Sequence, residues 1–237
     1  MKITEGVYPA LVTPFDSEGD VDYDALGDVI EHVEEAGVDG VVPCGSTGES
    51  ATLTHEEHKK VVEYAVEHAD THVIAGSGSN STHEALELTK HAEEAGADAA
   101  LLISPYYNKP NDNGLIEHYE TVADAVDIPL LVYNVPGRTG HNIPEDVIVE
   151  LAGHKGIAGV KEASGDINKI SRLCSRTREE DFDVVSGDDS ITLPLLSVGG
   201  TGVISVTANI FPRSMCELVE AAHEGDHEAA REIHAEL

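Results

Sequence analysis

Two residues at the ends of neighbouring apolar runs could perform carbonyl chemistry together. Lys161 ends the run 157–161, and Tyr133 ends the run 129–133. A lysine at the end of a buried strand loses hydration, which penalises its ammonium form and lowers its pKa. The neutral amine can attack a carbonyl carbon and form a Schiff base, and the tyrosine hydroxyl could carry the protons. The alternative for either residue alone is structural: a lysine that reaches solvent and a tyrosine that packs in the core.

Short apolar runs alternate with amphipathic segments, which predicts alternating strands and helices. Strands are predicted at 7–12, 40–43, 73–76, 99–103, 129–133, 157–161, 182–186 and 202–205. Eight strand–helix units at a spacing of about 30 residues favour a closed (β/α)8 barrel, the TIM barrel, in the α/β class. An open doubly wound sheet is the alternative fold.

Helical spacing and capping residues predict where several helices lie. Apolar faces at helical spacing are formed by Leu26, Val29, Ile30 and Val33 in the first helix, and by Ala85, Leu88, Ala92 and Ala95 in the third. Thr54 with Glu57, and Ser81 with Glu84, have the spacing of capping boxes. Segments 34–42 and 93–101 resemble each other, and both predict a helix end, a glycine C-cap and then a strand.

The chain is interpreted as a barrel domain over residues 1–224 and the start of a helical region at 225–237. Segment 211–237 predicts one helix and the beginning of another, and its pattern stops without a capping glycine. We therefore expect the helices that follow the barrel to be largely absent from this chain.

Acidic residues dominate the charge of this chain. It has 45 acidic and 14 basic residues, a formal net charge of −31, and only eight lysines. Nucleic acid and anionic membranes are therefore excluded as partners, because phosphates need a basic surface. Hydrophobic residues make up 41% of the chain and are periodic, which excludes disorder. The composition is typical of a halophile-like proteome, whose surfaces stay soluble in concentrated salt.

The cysteines and histidines give no sign of a disulfide framework or a metal site. Cys44, Cys174 and Cys216 are scattered and odd in number. His55 and His58 are not spaced as the histidine pair of a zinc protease helix. The sequence has no signal peptide and no apolar run of 18 residues. A cytoplasmic protein without a bound metal is expected.

The carboxyl ends of barrel strands meet on one face, where active sites form. Four predicted strands end in chemically useful segments. Segment 45–50 has two glycines and hydroxyl side chains that could hold a small carboxylate. Segment 104–108 contains two tyrosines, segment 133–140 contains Arg138, and the sixth strand ends at Lys161.

These segments resemble the dihydrodipicolinate synthase family, within the pyruvate-dependent class I aldolases that include N-acetylneuraminate lyase. The resemblance covers residues 6–218. It rests on segments 45–50, 105–110, 133–140, 159–165, 186–189 and 202–209.

The resemblance implies roles for the catalytic residues. Lys161 is similar to the family's Schiff-base lysine, and Tyr133 to its proton donor and acceptor. Thr47 resembles the hydroxyl that links Tyr133 to Tyr107, a tyrosine that a neighbouring subunit lends in the family. A homo-oligomer, a dimer of dimers forming a homotetramer, is therefore implied, and no cofactor or metal is.

The same resemblance implies how substrates bind. Ser46 and Thr47 would hold the carboxylate of pyruvate, although the family usually has a threonine where Ser46 stands. Gly187 and Ile204 would line the pyruvate site through their backbones. Arg138 would clamp the carboxylate of L-aspartate 4-semialdehyde, since a guanidinium binds a carboxylate bidentately.

The implied reaction is a Schiff-base condensation of pyruvate with L-aspartate 4-semialdehyde, a lyase-type step of lysine (diaminopimelate) biosynthesis. A 2-keto-3-deoxy sugar acid aldolase with the same lysine is one alternative. A catalytically idle lysine-binding protein is an alternative of another class.

A second set of residues matches positions that bind lysine as a feedback inhibitor in some members of the family. The set is Ser50, Ala51, His55, His58, Asn80, Glu84 and Tyr106. The alternative is that His55 and His58 form a solvated helix start and that Glu84 is only a helix cap.

The net charge predicts a dependence on salt. Repulsion among acidic side chains destabilises the folded state at low ionic strength, and salt screens it. Activity and melting temperature should rise from dilute buffer to molar KCl. An unchanged melting temperature across that range would contradict this explanation.

Overall fold

Eight parallel strands form one sheet that closes into a barrel. The structure, a computed structural model, describes residues 4–237. The strands are β1 Gly6–Pro9, β2 Gly40–Val41, β3 His72–Gly76, β4 Ala99–Ile103, β5 Leu130–Asn134, β6 Ile157–Glu162, β7 Asp183–Ser186 and β8 Gly202–Ser205. From β2 to β8 each strand pairs with the next, β8 pairs with β1, and the Ala10–Val42 bridge joins β1 to β2. The predicted (β/α)8 barrel is confirmed and the open sheet is excluded.

Helices cover the outside of the barrel. They are α1 Tyr23–Glu34, α2 His55–His68, α3 Thr82–Ala95, α4 Asp112–Ala123, α5 Pro136–Thr139, α6 Glu145–Ala152, α7 Ile167–Thr177, α8 Thr192–Ser197, α9 Pro212–Glu224 and α10 His227–Glu236. Short 3-10 helices lie at Asp189–Ile191 and Thr207–Asn209. The predicted apolar face of α1 buries Leu26, Ile30 and Val33. No helix in the described part of the chain has both the length and the apolar character needed to cross a membrane.

The first two strands are shorter than predicted. The ladder of β1 ends at Pro9 and that of β2 at Val41, before Pro43. Proline has no N–H to donate to a neighbouring strand. Contact between the strands continues beyond them, because the Leu11 N–H donates to the Val42 carbonyl at 3.0 Å.

One of the two predicted capping boxes is complete. Thr54 and Glu57 exchange both hydrogen bonds at the start of α2. At the start of α3, the Ser81 side chain accepts from the Glu84 N–H. The Glu84 carboxylate does not return the bond, because it contacts the Ser79 hydroxyl and the His55 ring instead. The second box was therefore only half right.

Segments 34–42 and 93–101, which resemble each other in sequence, form similar local structures. Gly37 and Gly96 both have positive φ angles, 90° and 98°, which favour glycine. Gly96 is the C-cap of α3, whereas Gly37 follows the α1 cap by two residues. Asp39 and Asp98 then each accept a backbone N–H from the preceding strand at 2.8 Å. Each segment thus ends a helix and fastens the next strand to its neighbour.

The carboxyl-terminal helices pack against the barrel. Gly225, with φ 78°, ends α9, and α10 folds back on α9. Ala230 of α10 is buried in the same core cluster as barrel residues such as Val203. The division at residue 224 into a barrel domain and a helical region stays a prediction, and residues 1–3 of that domain lie outside the described residues.

Candidate active site

Lys161 lies at the carboxyl end of β6 and points into the barrel. It is level with Tyr133 on β5 and Val185 on β7, and only 4% of it is exposed. Burial lowers the pKa of its amine to about 7; the Asp189 carboxylate opposes this shift, and the Arg138 guanidinium adds to it. A substantial part of the amine is therefore neutral near pH 7 and able to act as a nucleophile.

The ring of Tyr133 lies beside the Lys161 amine. The Nζ atom is 4.5 Å from the ring centroid. Burial raises the pKa of the Tyr133 hydroxyl, while a hydrogen bond with the Ser46 side chain and the charge of Arg138 act in the other direction. The hydroxyl therefore stays protonated at neutral pH and can donate a proton to a group bound at Lys161.

Six predicted residues line one cavity of about 540 Å³ at the carboxyl end of the barrel. They are Ser46, Thr47, Tyr133, Arg138, Lys161 and Gly187. We call it the catalytic cavity. It combines a buried amine, a phenol, two hydroxyl side chains and a guanidinium. These are the functional groups needed to bind an anionic carbonyl compound and form a Schiff base with it.

Gly187 leaves room for the lysine side chain. A Cβ atom at this position would lie 2.9 Å from Lys161 Cε and 2.8 Å from Ala163 Cβ. Both distances are shorter than normal carbon contacts. The segment after β7 therefore touches the lysine stem directly.

Two predicted residues do not line the catalytic cavity. Ile204, which is 1% exposed, packs inside the barrel with Tyr133, and the next turn contributes Val206 and Thr207 to the cavity wall instead. Tyr107 is 90% exposed on the loop after β4. That Tyr107 takes part in proton transfer in a neighbouring subunit stays a prediction.

Side chains hold the loop of Tyr107 in a defined conformation. Tyr107 has a φ of 68°, a left-handed conformation that is strained for a residue with a side chain. Asn108 donates to the Asn80 carbonyl at 2.9 Å, and Asn80 donates to the Tyr106 carbonyl at 3.3 Å. The loop thus presents Tyr107 outward while its backbone is tied to the segment after β3.

A buried ion pair lies behind the catalytic strands. Glu162 follows Lys161 and points to the opposite side of β6, where Lys169 of α7 approaches its carboxylate at 2.9 Å. Asn134 donates to both oxygens of Glu162 at 2.9 and 3.0 Å. Lys169 also donates to Asn142 and to the Ile143 carbonyl. These bonds fix the ends of β5 and β6, which carry Tyr133 and Lys161.

Sequence reasoning missed this ion pair and two acidic residues of the cavity, Asp188 and Asp189. Both carboxylate residues line the cavity, whereas within segment 186–189 only Gly187 had been given a role. An acidic pair directly after a strand was the available signal. Nothing in the sequence indicated that His234 and Leu237, at the end of α10, would also line the cavity.

A second cavity of about 410 Å³ adjoins the first. Six of the seven residues predicted for lysine binding line it, namely Ser50, Ala51, His55, His58, Glu84 and Tyr106. The seventh, Asn80, contacts it through its hydrogen bond to Tyr106. We call it the side cavity. Ser46, Tyr133 and Arg138 line both cavities, so the two share a wall.

The polar groups of the side cavity are mostly acidic or neutral. His55 contacts the Glu84 carboxylate at 2.8 Å. Burial lowers the pKa of the His58 ring to about 4, against a hydrogen bond to the Gly76 carbonyl at 2.8 Å. His58 is therefore neutral at pH 7, and Glu84 contributes a carboxylate to the cavity wall, held by His55 and Ser79. Within residues 4–237 no group of His, Cys, Asp or Glu is arranged to hold a metal ion.

Comparisons with known proteins agree over nearly the whole chain. The model of the dihydrodipicolinate synthetase family matches residues 3–237. A 4-hydroxy-tetrahydrodipicolinate synthase from Haloarcula marismortui is 60% identical, over 98% of this chain and 76% of that protein. The crystal structure of a dihydrodipicolinate synthase from Aquifex aeolicus has a TM-score of 0.95 and 51% identity, over 98% of this chain and 80% of that one. An enzyme from Cyanidioschyzon merolae, solved with lysine bound, has a TM-score of 0.92 and 40% identity, over 99% and 81%.

The contact between Gly187 and Lys161 yields a prediction. Gly187→Ala should push the lysine stem aside and slow Schiff-base formation with pyruvate about 10- to 100-fold, because small misplacements of reacting groups are costly. Gly137→Ala is the matched control, since its Cβ would meet nothing within 4 Å. Borohydride trapping rates measure both. Equal rates for the two variants would show that the contact does not position Lys161.

Proposed function

The chain belongs to the dihydrodipicolinate synthetase family, and we propose that it acts as a 4-hydroxy-tetrahydrodipicolinate synthase through a Schiff base on Lys161. Pyruvate and L-aspartate 4-semialdehyde are the substrates. The observation that carries the proposal is the buried Lys161 amine, whose pKa is lowered to about 7, beside the Tyr133 phenol. This is class I aldolase-type chemistry.

The first half of the reaction uses the lysine and the tyrosine. The neutral amine attacks the ketone carbon of pyruvate, and the oxygen becomes a carbinolamine hydroxyl. Tyr133 donates the proton with which that hydroxyl leaves as water, and the nitrogen lone pair forms the C=N bond of an iminium cation. The iminium withdraws electrons from C3, and the Tyr133 phenolate left by the proton donation removes a C3 proton to give an enamine.

The second half joins the two substrates. The enamine carbon attacks the aldehyde carbon, and the new alkoxide takes the proton that Tyr133 removed from C3. The amino group of the second substrate then attacks the iminium carbon. Lys161 leaves as the free amine, and a ring forms. Atoms balance with the loss of one water, which was released when the Schiff base formed.

Binding groups are available for both substrate carboxylates. Ser46 and Thr47 line the cavity through a loop that contains two glycines, and we assign them to the pyruvate carboxylate. Arg138 is the guanidinium of the cavity and is assigned to the carboxylate of the semialdehyde. Gly187 and Ile204 are assigned to the pyruvate side of the site, which they would line through their backbones.

A homotetramer, a dimer of dimers, completes the proposed site. The exposed Tyr107 would enter a neighbouring subunit and join Thr47 and Tyr133 in proton transfer. Support comes from its 90% exposure and from the hydrogen bonds that hold its loop. A cytoplasmic location is proposed as well, because Cys44, Cys174 and Cys216 are free thiols.

Reductive trapping tests the proposed function. Borohydride with pyruvate in high salt should reduce the iminium to a stable amine, adding one pyruvate-derived group to Lys161. Intact mass and peptide mapping locate the group. Lys161→Ala should not be labelled, because it has lost the nucleophile.

Product analysis then identifies the aldehyde. Consumption of aspartate semialdehyde with pyruvate is expected, and Arg138→Ala should raise the KM for the semialdehyde more than the KM for pyruvate. A folded protein that binds pyruvate without a trapped adduct would contradict the Schiff-base reaction. Turnover of sugar-derived aldehydes in place of the semialdehyde would contradict the substrate assignment.

The side cavity is proposed to bind L-lysine as an inhibitor. Free lysine carries two ammonium groups and one carboxylate, and Glu84 offers an anion at the cavity wall. Tyr133 and Arg138 form the shared wall, so that a ligand in the side cavity contacts residues of the catalytic cavity. The relative solved with lysine bound supports the choice of ligand.

Inhibition by lysine is therefore expected at millimolar concentration. Glu84→Gln should raise the half-inhibiting concentration about tenfold or more, because a hydrogen bond to a charged group contributes roughly 1.5–3 kcal/mol. Glu87→Gln is the matched control, since Glu87 pairs with Lys59 on the outer face of α3. Steady-state rates across a lysine titration measure the effect. Activity unchanged by lysine would remove this proposal.

A further inference from the structure

Asp189 is a carboxylate of the catalytic cavity to which the proposed reaction gives no task. It begins the short 3-10 helix after β7 and lines the cavity together with Lys161. Its Oδ2 atom accepts the backbone N–H groups of Val206 and Thr207 at 3.1 and 3.0 Å. Its Oδ1 atom is buried and has no hydrogen-bond partner among the described residues.

The backbone on both sides of Asp189 is held in place. The Ser186 hydroxyl donates to the Asp188 carbonyl at 2.7 Å, and Gly187 packs against the stem of Lys161. The two N–H groups on Oδ2 come from the turn after β8. Asp189 therefore joins the ends of β7 and β8 and has a fixed position relative to the lysine.

A buried oxygen without a hydrogen-bond partner costs folding free energy unless it interacts with a nearby positive charge. The charged groups that act on the Lys161 amine are Asp189, from the segment after β7, and Arg138, from α5; the Tyr133 ring faces it from β5. Asp188 and His234 also line the cavity. Of the two charges that act on the amine, Asp189 favours a positive charge on the nitrogen and Arg138 opposes it.

In the proposed reaction the Lys161 nitrogen carries a positive charge throughout the iminium stage, whatever the pH. When the carbinolamine loses water, the lone pair of nitrogen enters the C=N bond and the nitrogen keeps a positive charge. In a site with little water, a fixed anion nearby stabilises such a charge more than it would in solvent.

We propose that Asp189 is the counter-ion of the iminium on Lys161. Its carboxylate stays ionised throughout, transfers no proton, and acts through its charge and its fixed position. This inference rests on the proposed Schiff-base function. It assigns to Asp189 a catalytic contribution separate from proton transfer by Tyr133 and carboxylate binding by Arg138.

The pH dependence of pyruvate trapping tests the inference. In the unmodified protein the trapping rate should rise with pH as the Lys161 amine loses its proton. Asp189→Asn keeps the size of the side chain and an oxygen for the Val206 and Thr207 N–H groups but removes the charge. Its midpoint should fall by about one pH unit, because the ammonium loses a nearby anion. At pH values above the midpoint, where the free amine is neutral and only the iminium is charged, the adduct trapped in a fixed short time at limiting pyruvate should fall about tenfold.

A purely structural role predicts the opposite direction. Loosening of the turn would admit water and move the midpoint upward, toward the ordinary lysine value of 10.5. Asp188→Asn is the matched control: it removes the same charge one residue away, where an exposed carboxylate bonds to Ser190. Solvent screening should limit its shift to less than about a third of the Asp189 shift.

The outcomes separate the two proposals. Suppose that the unmodified protein is trapped but the midpoint of Asp189→Asn is unchanged or raised. That result overturns the counter-ion role of Asp189 and leaves the Schiff-base function intact. No trapping in the unmodified, folded protein overturns both. Circular dichroism verifies folding, and Asp189→Ser, whose hydroxyl can still accept an N–H, is judged by the same criterion where Asp189→Asn does not fold.

Discussion

The burial of one amine is the constraint on which the rest of the structure depends. Lys161 is held at the end of β6, among apolar barrel residues, where its ammonium form is poorly solvated. That environment keeps much of the amine neutral near pH 7, and the same environment costs folding stability. The barrel must therefore supply enough apolar burial elsewhere to hold the amine in place. The core clusters on both sides of the sheet provide it.

The alternation of side chains along a strand separates chemistry from support. On β5 and β6, Tyr133 and Lys161 face the inside of the barrel, and Asn134 and Glu162 face the helices. The inward pair forms the reactive centre, while the outward pair joins Lys169 in a buried network whose polar atoms have partners. Removing one member of a buried ion pair typically costs about 3–5 kcal/mol. The network thus secures the two strand ends at which the reactive groups lie.

The sequence predicted the barrel and most of the site because both depend on local patterns. Apolar runs located all eight strands, and a lysine at the end of one of them was a strong signal in a chain with eight lysines. The misses depend on contacts between distant residues. Glu84 left its predicted capping box because His55 and Ser79 lie close to it. The surroundings of Asp189 and Lys169 depend on contacts that form only when the strand ends meet in the folded barrel.

The most direct test of this account compares the unfolding free energy of the protein with that of Lys161→Met across pH. The pKa of Lys161 is about 7 in the folded state, and its ordinary value is 10.5. Between pH 7 and pH 10.5 the lysine is therefore mostly protonated in the unfolded chain and mostly neutral in the folded one. Stability of the unmodified protein should then rise with pH in this window. Lys161→Met should be more stable than the unmodified protein by about 2 kcal/mol or more at pH 6, and the difference should shrink toward about pH 10. A difference that is absent, or that does not change with pH, would contradict a buried amine kept neutral by its surroundings.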